Sequence, residues 1–223
     1  MSVVRRAKAL TGPKGMILST KVRERRTQAE RTEETRSALI EAAIKVLHKS
    51  GYNAATNAEI AGEAGVSRGS IIYHFNTRAK LMSEVIYYVY EYEQQQYATL
   101  EKQGLDLTKP QNWLDMMWKV FSQPPGMAVI EILQASRSDP ELAELVGPMQ
   151  DKVEQLSIEA VAKRFPGSED RMRPAIRLLV WAARGLVLAK ALVSDPTETE
   201  RAVLLFEQIL ERWPAEHWIS LKV

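Results

Sequence analysis

The residues whose types and spacing could do chemistry gather between Thr56 and Lys80, in TNAEIAGEAGVSRGSIIYHFNTRAK. Ser67, Arg68, Gly69 and Ser70 open a short helical segment there, and Tyr73, His74, Arg78 and Lys80 follow. Their chemistry is donation of hydrogen bonds and positive charge to a polyanion. A guanidinium at the start of a helix can bond bidentately to O6 and N7 of guanine. It can equally take a phosphate, the partner in half or more of protein–DNA hydrogen bonds. Both roles stay open for Arg68. Gly69 removes a side chain where backbone must approach a groove, or is a tolerated helix glycine. Thr56, Tyr73, His74, Arg78 and Lys80 are placed for phosphates, and His74 has packing beside Phe75 as its alternative. Bond-making chemistry lacks its parts. His48, His74 and His217 are far apart, there is no HExxH, no glycine-rich phosphate loop and no nucleophile–base set. The chain has no Cys, which excludes disulfides and thiolate metal sites. No cofactor and no metal is expected.

The elements that must hold these donors are legible in the same stretch. Thr56-Asn57-Ala58-Glu59 has the form of a capping box, opening a helix over Asn57–Ala64. Ile60 faces inward, Ala61 is small where the next helix crosses, and Gly65 supplies a left-handed backbone for the turn. Val66 fills the turn, Ser67 caps the next helix, and Ile71 and Phe75 lie on its buried side. This is the pattern of a helix-turn-helix. Ahead of it, Thr32–Ser50 carries an apolar stripe of Leu39, Ala42, Ala43, Val46 and Leu47. Gly51 ends that helix, and Tyr52 can pack back on it. Behind it, Thr77 caps a helix reaching about Glu101.

Within Thr35–Ile86, the segments ALIEAAIKVLHKSGY, IAGEAGVSRGSIIYHF and NTRAKL resemble the DNA-binding domain of the TetR/AcrR family of bacterial transcriptional regulators. The resemblance implies a three-helix DNA-binding head on a larger helical, dimeric body that usually receives a small ligand. Two positions depart from the family's common pattern. Ile72 stands where many members have Tyr and cannot bond a phosphate, a role that Tyr73 and His74 can take over. Arg78 stands where many have Lys and keeps the charge.

Charge divides the chain. Residues 1–80 carry 15 Lys and Arg against 7 Asp and Glu, and residues 81–223 carry 15 against 21. A basic first part on an acidic remainder fits a polyanion-binding end. The expected organisation is all-α: a flexible basic arm over 1–31, with Met16 an alternative start, a helix-turn-helix domain over 32–90, and a ligand-binding and dimerisation domain over 91–223. Pro124-Pro125-Gly126 and Gly147-Pro148 are expected to break or kink the body's helices, so that a helix starts afresh at Met127. Pro166-Gly167-Ser168 ends another, and Thr197–Glu200 reads as a second capping box. Aromatic and Met residues suit a cavity for an apolar or aromatic ligand, lined by Tyr88, Tyr92, Trp113, Met117, Trp118, Phe121, Ile130 and Trp181, with Gln134 and Arg137 as polar anchors. An ordinary core is the alternative. The last two long helices are apolar enough to pair two copies as half of an intersubunit bundle. The longest apolar run, Leu178–Ala189, is interrupted by Arg184 and too short to span a bilayer, and no signal peptide is evident, so a cytoplasmic protein is expected. The resulting reading is a homodimeric regulator of double-stranded DNA with a palindromic operator, a repressor released by a small ligand. A DNA-binding dimer acting through a protein partner is the alternative.

Overall fold

The structure, a computed structural model, describes residues 27–109, 111–165 and 169–212. Among these the chain forms nine helices and no strand: α1 (Gln28–Ala54), α2 (Asn57–Glu63), α3 (Arg68–Phe75), α4 (Arg78–Lys102), α5 (Gln111–Phe121), α6 (Pro124–Ala135), α7 (Pro140–Ala162), α8 (Glu169–Leu192) and α9 (Thr197–Arg212). Helix α1 starts earlier than the expected Thr32. Thr27 and Glu30 form a reciprocal capping box, with the Thr27 hydroxyl accepting from the Glu30 N–H at 3.2 Å and the Glu30 carboxylate accepting from the Thr27 N–H at 2.7 Å. Residues 1–26, most of the expected arm with Met16, lie outside the described residues, as do Pro166-Gly167-Ser168, Trp213 and Trp218.

Prolines behave differently from expectation in the body. Pro124 and Pro125 start α6 instead of breaking the chain, because the first turn of a helix has no intrahelical use for the missing N–H. Gly147-Pro148 does not end α7, which runs on to Ala162. At α9 the Asp195 carboxylate accepts from the Thr197 N–H at 2.9 Å, so Asp195 serves the first turn in place of the expected Thr197–Glu200 box.

Two apolar clusters hold the molecule. The first joins Leu39, Leu47, Ile60, Ile71, Phe75, Leu81 and Val85 to Val129, Ile132, Leu142 and Val146. It therefore continues from the helix-turn-helix into α6 and α7. The second gathers Trp113, Leu114, Phe121, Ile158, Ile176, Leu179, Val187, Val203 and Leu210 from α5, α7, α8 and α9. Helix α4 passes from one to the other.

A polar knot sits on the first cluster at Tyr52, just beyond Gly51, where φ reaches +76° and α1 changes direction. The Tyr52 N–H donates to the Glu131 carboxylate of α6 at 3.1 Å. Its hydroxyl donates to Asp139 at 2.9 Å. Asp139 also caps α7 by accepting from the Leu142 N–H at 3.1 Å. The Arg78 guanidinium, on the first turn of α4, donates to the Tyr52 carbonyl and stacks on its ring with 4.0 Å to the centroid. Burial and the Asp139 bond push the Tyr52 hydroxyl up to about 12. The start of α4, the end of α1, α6 and the cap of α7 thus meet on one residue.

Where α5 turns into α6, backbone approaches backbone. A Cβ at Gly126 would lie 2.2 Å from the Phe121 carbonyl oxygen, whereas one at Gly147 would meet nothing within 4 Å. Thermal or urea unfolding should show Gly126→Ala destabilised by about 2 kcal/mol, as overpacking against backbone demands. Gly147→Ala should gain about 0.5 kcal/mol or more from helix propensity. Equal effects would contradict the packing described.

Candidate nucleic-acid interface and body cavity

The helix-turn-helix forms as its residue types dictate. The Thr56 hydroxyl accepts from the Glu59 N–H at 3.3 Å and caps α2. Gly65 takes φ +67°, and the Val66 N–H closes the turn onto the Ala61 carbonyl at 2.9 Å. Ile60, Ala61, Ile71 and Phe75 are buried, as expected from their spacing. Ser67 holds the cap position of α3 without the expected side-chain bond to backbone. Its hydroxyl lies 3.2 Å from that of Ser70.

Helix α3 presents Arg68, Gly69, Ile72 and Tyr73 to solvent, with Tyr73 74% exposed. Arg68 makes no hydrogen bond or ion pair with another described residue, so its guanidinium is available. It shares an open depression with Thr56, Asn57, Ala58, Gly69, Ile72 and Arg78. Tyr73 meets His74 edge-on at 4.9 Å, and His74 is half-buried beside Phe75, 6.4 Å away between ring centroids. The other cations have internal work. Arg78 is committed in part to Tyr52. Lys80 pairs with Glu84 at 2.8 Å. Glu84 also pairs at 3.1 Å with Arg36, a residue that sequence reading missed. Arg36 in turn donates to the His74 carbonyl at 3.3 Å and lies 4.6 Å over the Phe75 ring. This network ties α1, α3 and α4 together and sets the attitude of α3. A lone arginine on the polar face of a helix gives no sequence signal for such a role.

The body holds a cavity of about 280 Å³ among α4, α5, α7 and α8. Of the expected lining residues, Trp113, Met117, Phe121 and Trp181 line it. Six do not. Tyr88 turns toward α1 and bonds Glu41 at 3.2 Å. Tyr92 lies off the cavity wall, on another side of α4 from Tyr90, Glu93 and Tyr97. Trp118 packs behind α5 against Lys190, whose Nζ lies 5.1 Å from the ring centroid. Ile130 is buried in the second cluster. Gln134 and Arg137 are exposed at the end of α6 and beyond it, so neither anchors anything in the cavity.

The polar groups that line the cavity include Glu93 and Arg184, both buried, with Tyr90, Gln94, Tyr97, Gln150 and Ser157. Two of these features were visible in the sequence: Arg184 interrupts the apolar run of α8, and Tyr90, Glu93 and Tyr97 recur at helical spacing. Burial pushes the Glu93 carboxyl up to about 7, with the Arg184 charge opposing. Burial also holds the Tyr97 hydroxyl well above the usual phenol range and draws the Arg184 guanidinium down. The Arg184 guanidinium lies over Phe121 and Trp181, 5.5 and 5.3 Å from their ring centroids. At the rim, Arg177 pairs with Glu154 at 2.8 Å and Arg164 with Glu101 at 2.8 Å. Among the described residues, no group of three or more His, Asp or Glu is arranged to hold a metal.

Glu93 makes stability depend on pH. Below its ordinary value of 4.5 the carboxyl is protonated folded and unfolded alike. Between 4.5 and about 7 only the unfolded chain releases the proton, so stability falls as pH rises through that window. The penalty approaches about 3 kcal/mol above the folded value, at 1.36 kcal/mol per pKa unit. Unfolding free energies measured from pH 4 to 8 should therefore decline more for the wild type than for Glu93→Gln. Parallel profiles would contradict the burial of this carboxyl.

Residues 39–85 match the family model described as bacterial regulatory proteins, tetR family. The chain is 30% identical over 187 residues to the HTH-type transcriptional regulator CymR of Pseudomonas putida, covering 80% of this chain and 90% of the relative. Among solved structures, a TetR-family member from Streptomyces coelicolor A3 superposes with a TM-score of 0.57 at 23% identity, over 80% of this chain and 97% of the other. The multidrug binding protein EbrR complexed with malachite green superposes with a TM-score of 0.53 at 23% identity, over 79% and 96%. No helix among the described residues is long and apolar enough to cross a membrane. With a helix-turn-helix matched in sequence and fold and a relative aligned over most of both lengths, the chain belongs to the TetR family of DNA-binding bacterial transcriptional regulators.

Proposed function

We propose that this regulator is a homodimeric repressor whose operator affinity falls when a small molecule fills the body cavity. The observation that carries the reading is the coexistence, in one packed chain, of a free arginine on the exposed face of α3 and an enclosed aromatic cavity beside α4. Helix α3 enters the major groove, with Arg68 reading base edges and Ser67, Gly69 and Ser70 close to the groove floor. The depression bounded by Thr56, Arg68 and Arg78 receives a backbone phosphate. Tyr73 and His74 supply further phosphate donors where Ile72 has none to give. Lys80 acts on DNA mainly through the field of the head, since Glu84 holds its ammonium.

Dimerisation is assigned to α8 and α9. Leu178, Trp181 and Leu192 of α8 and Leu204, Leu205 and Ile209 of α9 are all about half-exposed or more, and recur at spacings that give each helix one apolar stripe. Two such stripes from each of two copies make a four-helix contact. Two heads one DNA turn apart then read a near-palindrome. Trp181 touches both the cavity and this face.

Control follows from differential binding: a ligand shifts an equilibrium only as far as it prefers one conformation. Cavity walls on α4 and α7 lead to Arg78 and Asp139, and these meet on Tyr52. A change in the spacing of α4 and α7 therefore moves the first turn of α4 and, through it, α3.

Genomic footprinting should show salt-sensitive protection centred on an inverted repeat, and its absence would overturn the proposal. Affinities for single-base operator variants should show Arg68→Ala losing about 1–3 kcal/mol of discrimination at one base pair of each half-site. Equal losses at every position would assign Arg68 to phosphate. Leu204→Glu combined with Ile209→Glu should shift the sedimentation coefficient to that of a monomer and reduce operator affinity at least tenfold. A dimer that persists would move the interface elsewhere.

A further inference from the structure

We infer that the cavity is built for a small hydrophobic monocarboxylate, its carboxylate held by Arg184 and its apolar body packed against Trp113, Met117 and Phe121. The inference rests on the reading of this cavity as the regulatory site and adds the charge and class of its occupant. Three features of the lining favour an anion.

The first is an uncompensated cation. Three arginines line the cavity. Arg164 and Arg177 have carboxylate partners at 2.8 Å. Arg184, only 8% exposed, has no hydrogen bond and no carboxylate within 4.0 Å among the described residues. Its guanidinium lies over the faces of Phe121 and Trp181. Removing a guanidinium from water without a paired anion is costly, and truncating a partner is costly for the same reason. Glu93 lines the same cavity but lies beyond ion-pair distance of Arg184, and burial disfavours its charged form.

The second is an orphaned donor. The Gln150 side-chain Nε2 is buried with no hydrogen-bond partner among the described residues, and Gln150 lines the same cavity from α7. A guanidinium and an amide that both lack acceptors among the described residues form a pair of donors. The group complementary to them is rich in acceptor oxygens and carries one negative charge. A planar carboxylate fits the guanidinium fork in two places.

The third is the surrounding wall. Trp113, Met116, Met117, Phe121, Ile176 and Val180 are apolar, so a highly charged phosphate would lose its hydration to a single cation. An amine would meet Arg184 as a like charge. A neutral molecule would leave the guanidinium unpaired. The volume of about 280 Å³ lies at the lower end for ligand pockets, which suits one ring or a short branched chain.

The test uses the full-length protein and matched probes: benzoate, 4-ethylbenzoate, phenylacetate and 4-methylpentanoate, with the primary amide and amine of each. Binding is read by calorimetry and by quenching of tryptophan fluorescence. At least one acid should bind, with its amide at least tenfold weaker and its amine weaker still. Arg184→Met should abolish the preference for acid over amide. Arg184→Lys, which keeps the charge without the fork, should bind the acid more weakly yet retain the preference, and this separates recognition from loss of fold. Glu93→Gln should keep the acid within about threefold. If no acid binds, or amides or amines bind as tightly as the acids, the inference is overturned. Operator release is scored separately. Acids that bind without releasing DNA uphold the inference and contradict the ligand-released repressor. Amines or amides that release DNA while the acids do not bind uphold the repressor and contradict the inference.

Discussion

The attachment of four helices to Tyr52 is the constraint on which the rest of this structure depends. A DNA-binding head of three short helices buries little surface of its own, and small domains are marginal for that reason. Here the head borrows its core from the body: Val129, Ile132, Leu142 and Val146 complete the cluster around Ile60, Ile71 and Phe75. The Tyr52 knot fixes how the two parts meet, since its backbone N–H holds α6, its carbonyl and ring hold Arg78 of α4, and its hydroxyl holds the cap of α7. Packing supplies the strength of this junction, and the directional bonds supply its geometry. The Arg36–Glu84–Lys80 network adds a second directional tie, between α1, α3 and α4. Together they make the orientation of α3 a property of the whole molecule.

The same economy explains where charge is placed. Cations of the head are divided between those exposed to solvent, of which Arg68 is the clearest, and those that hold the head together. In the body, Arg164 and Arg177 at the rim are paired, and Arg184 inside the cavity has no ion-pair partner among the described residues. Unpaired buried polar groups are rare in proteins because their cost is large. Arg184, Gln150 and Glu93 stand together in one cavity, next to the helix that carries the head. A ligand that satisfied these groups would stabilise the protein, and that stabilisation is the source from which a conformational preference could be drawn.

The head was legible in the sequence almost residue by residue. Its steric requirements are local: a capping hydroxyl at Thr56, a left-handed backbone at Gly65, apolar residues at Ile60, Ile71 and Phe75. The beginning of α1 was misjudged because Thr27 and Glu30 cap it from within a stretch whose charge suggested an arm. Helix α6 was misjudged because prolines that end one helix are equally good at starting the next. The cavity was half legible. Apolar walls follow from helix periodicity, which gave Trp113, Met117, Phe121 and Trp181. The polar lining follows less directly: Arg184 is marked as a charge inside an apolar run, but no local pattern says that it and Glu93 face one cavity. Only the packing of α4 against α7 and of α5 against α8 turns Glu93 and Arg184 inward, and those pairings join residues far apart in the chain.

The central claim is that occupation of the cavity and occupation of the operator oppose each other through the Tyr52 junction. Coupling between two sites is reciprocal. The direct measurement is the dissociation constant of a cavity-binding acid with and without saturating operator DNA, in the wild type and in Tyr52→Phe. The account predicts that operator weakens the acid by the same factor as the acid weakens operator, and that Tyr52→Phe reduces this factor without abolishing either binding event. An acid that binds free and operator-bound protein equally well would contradict it.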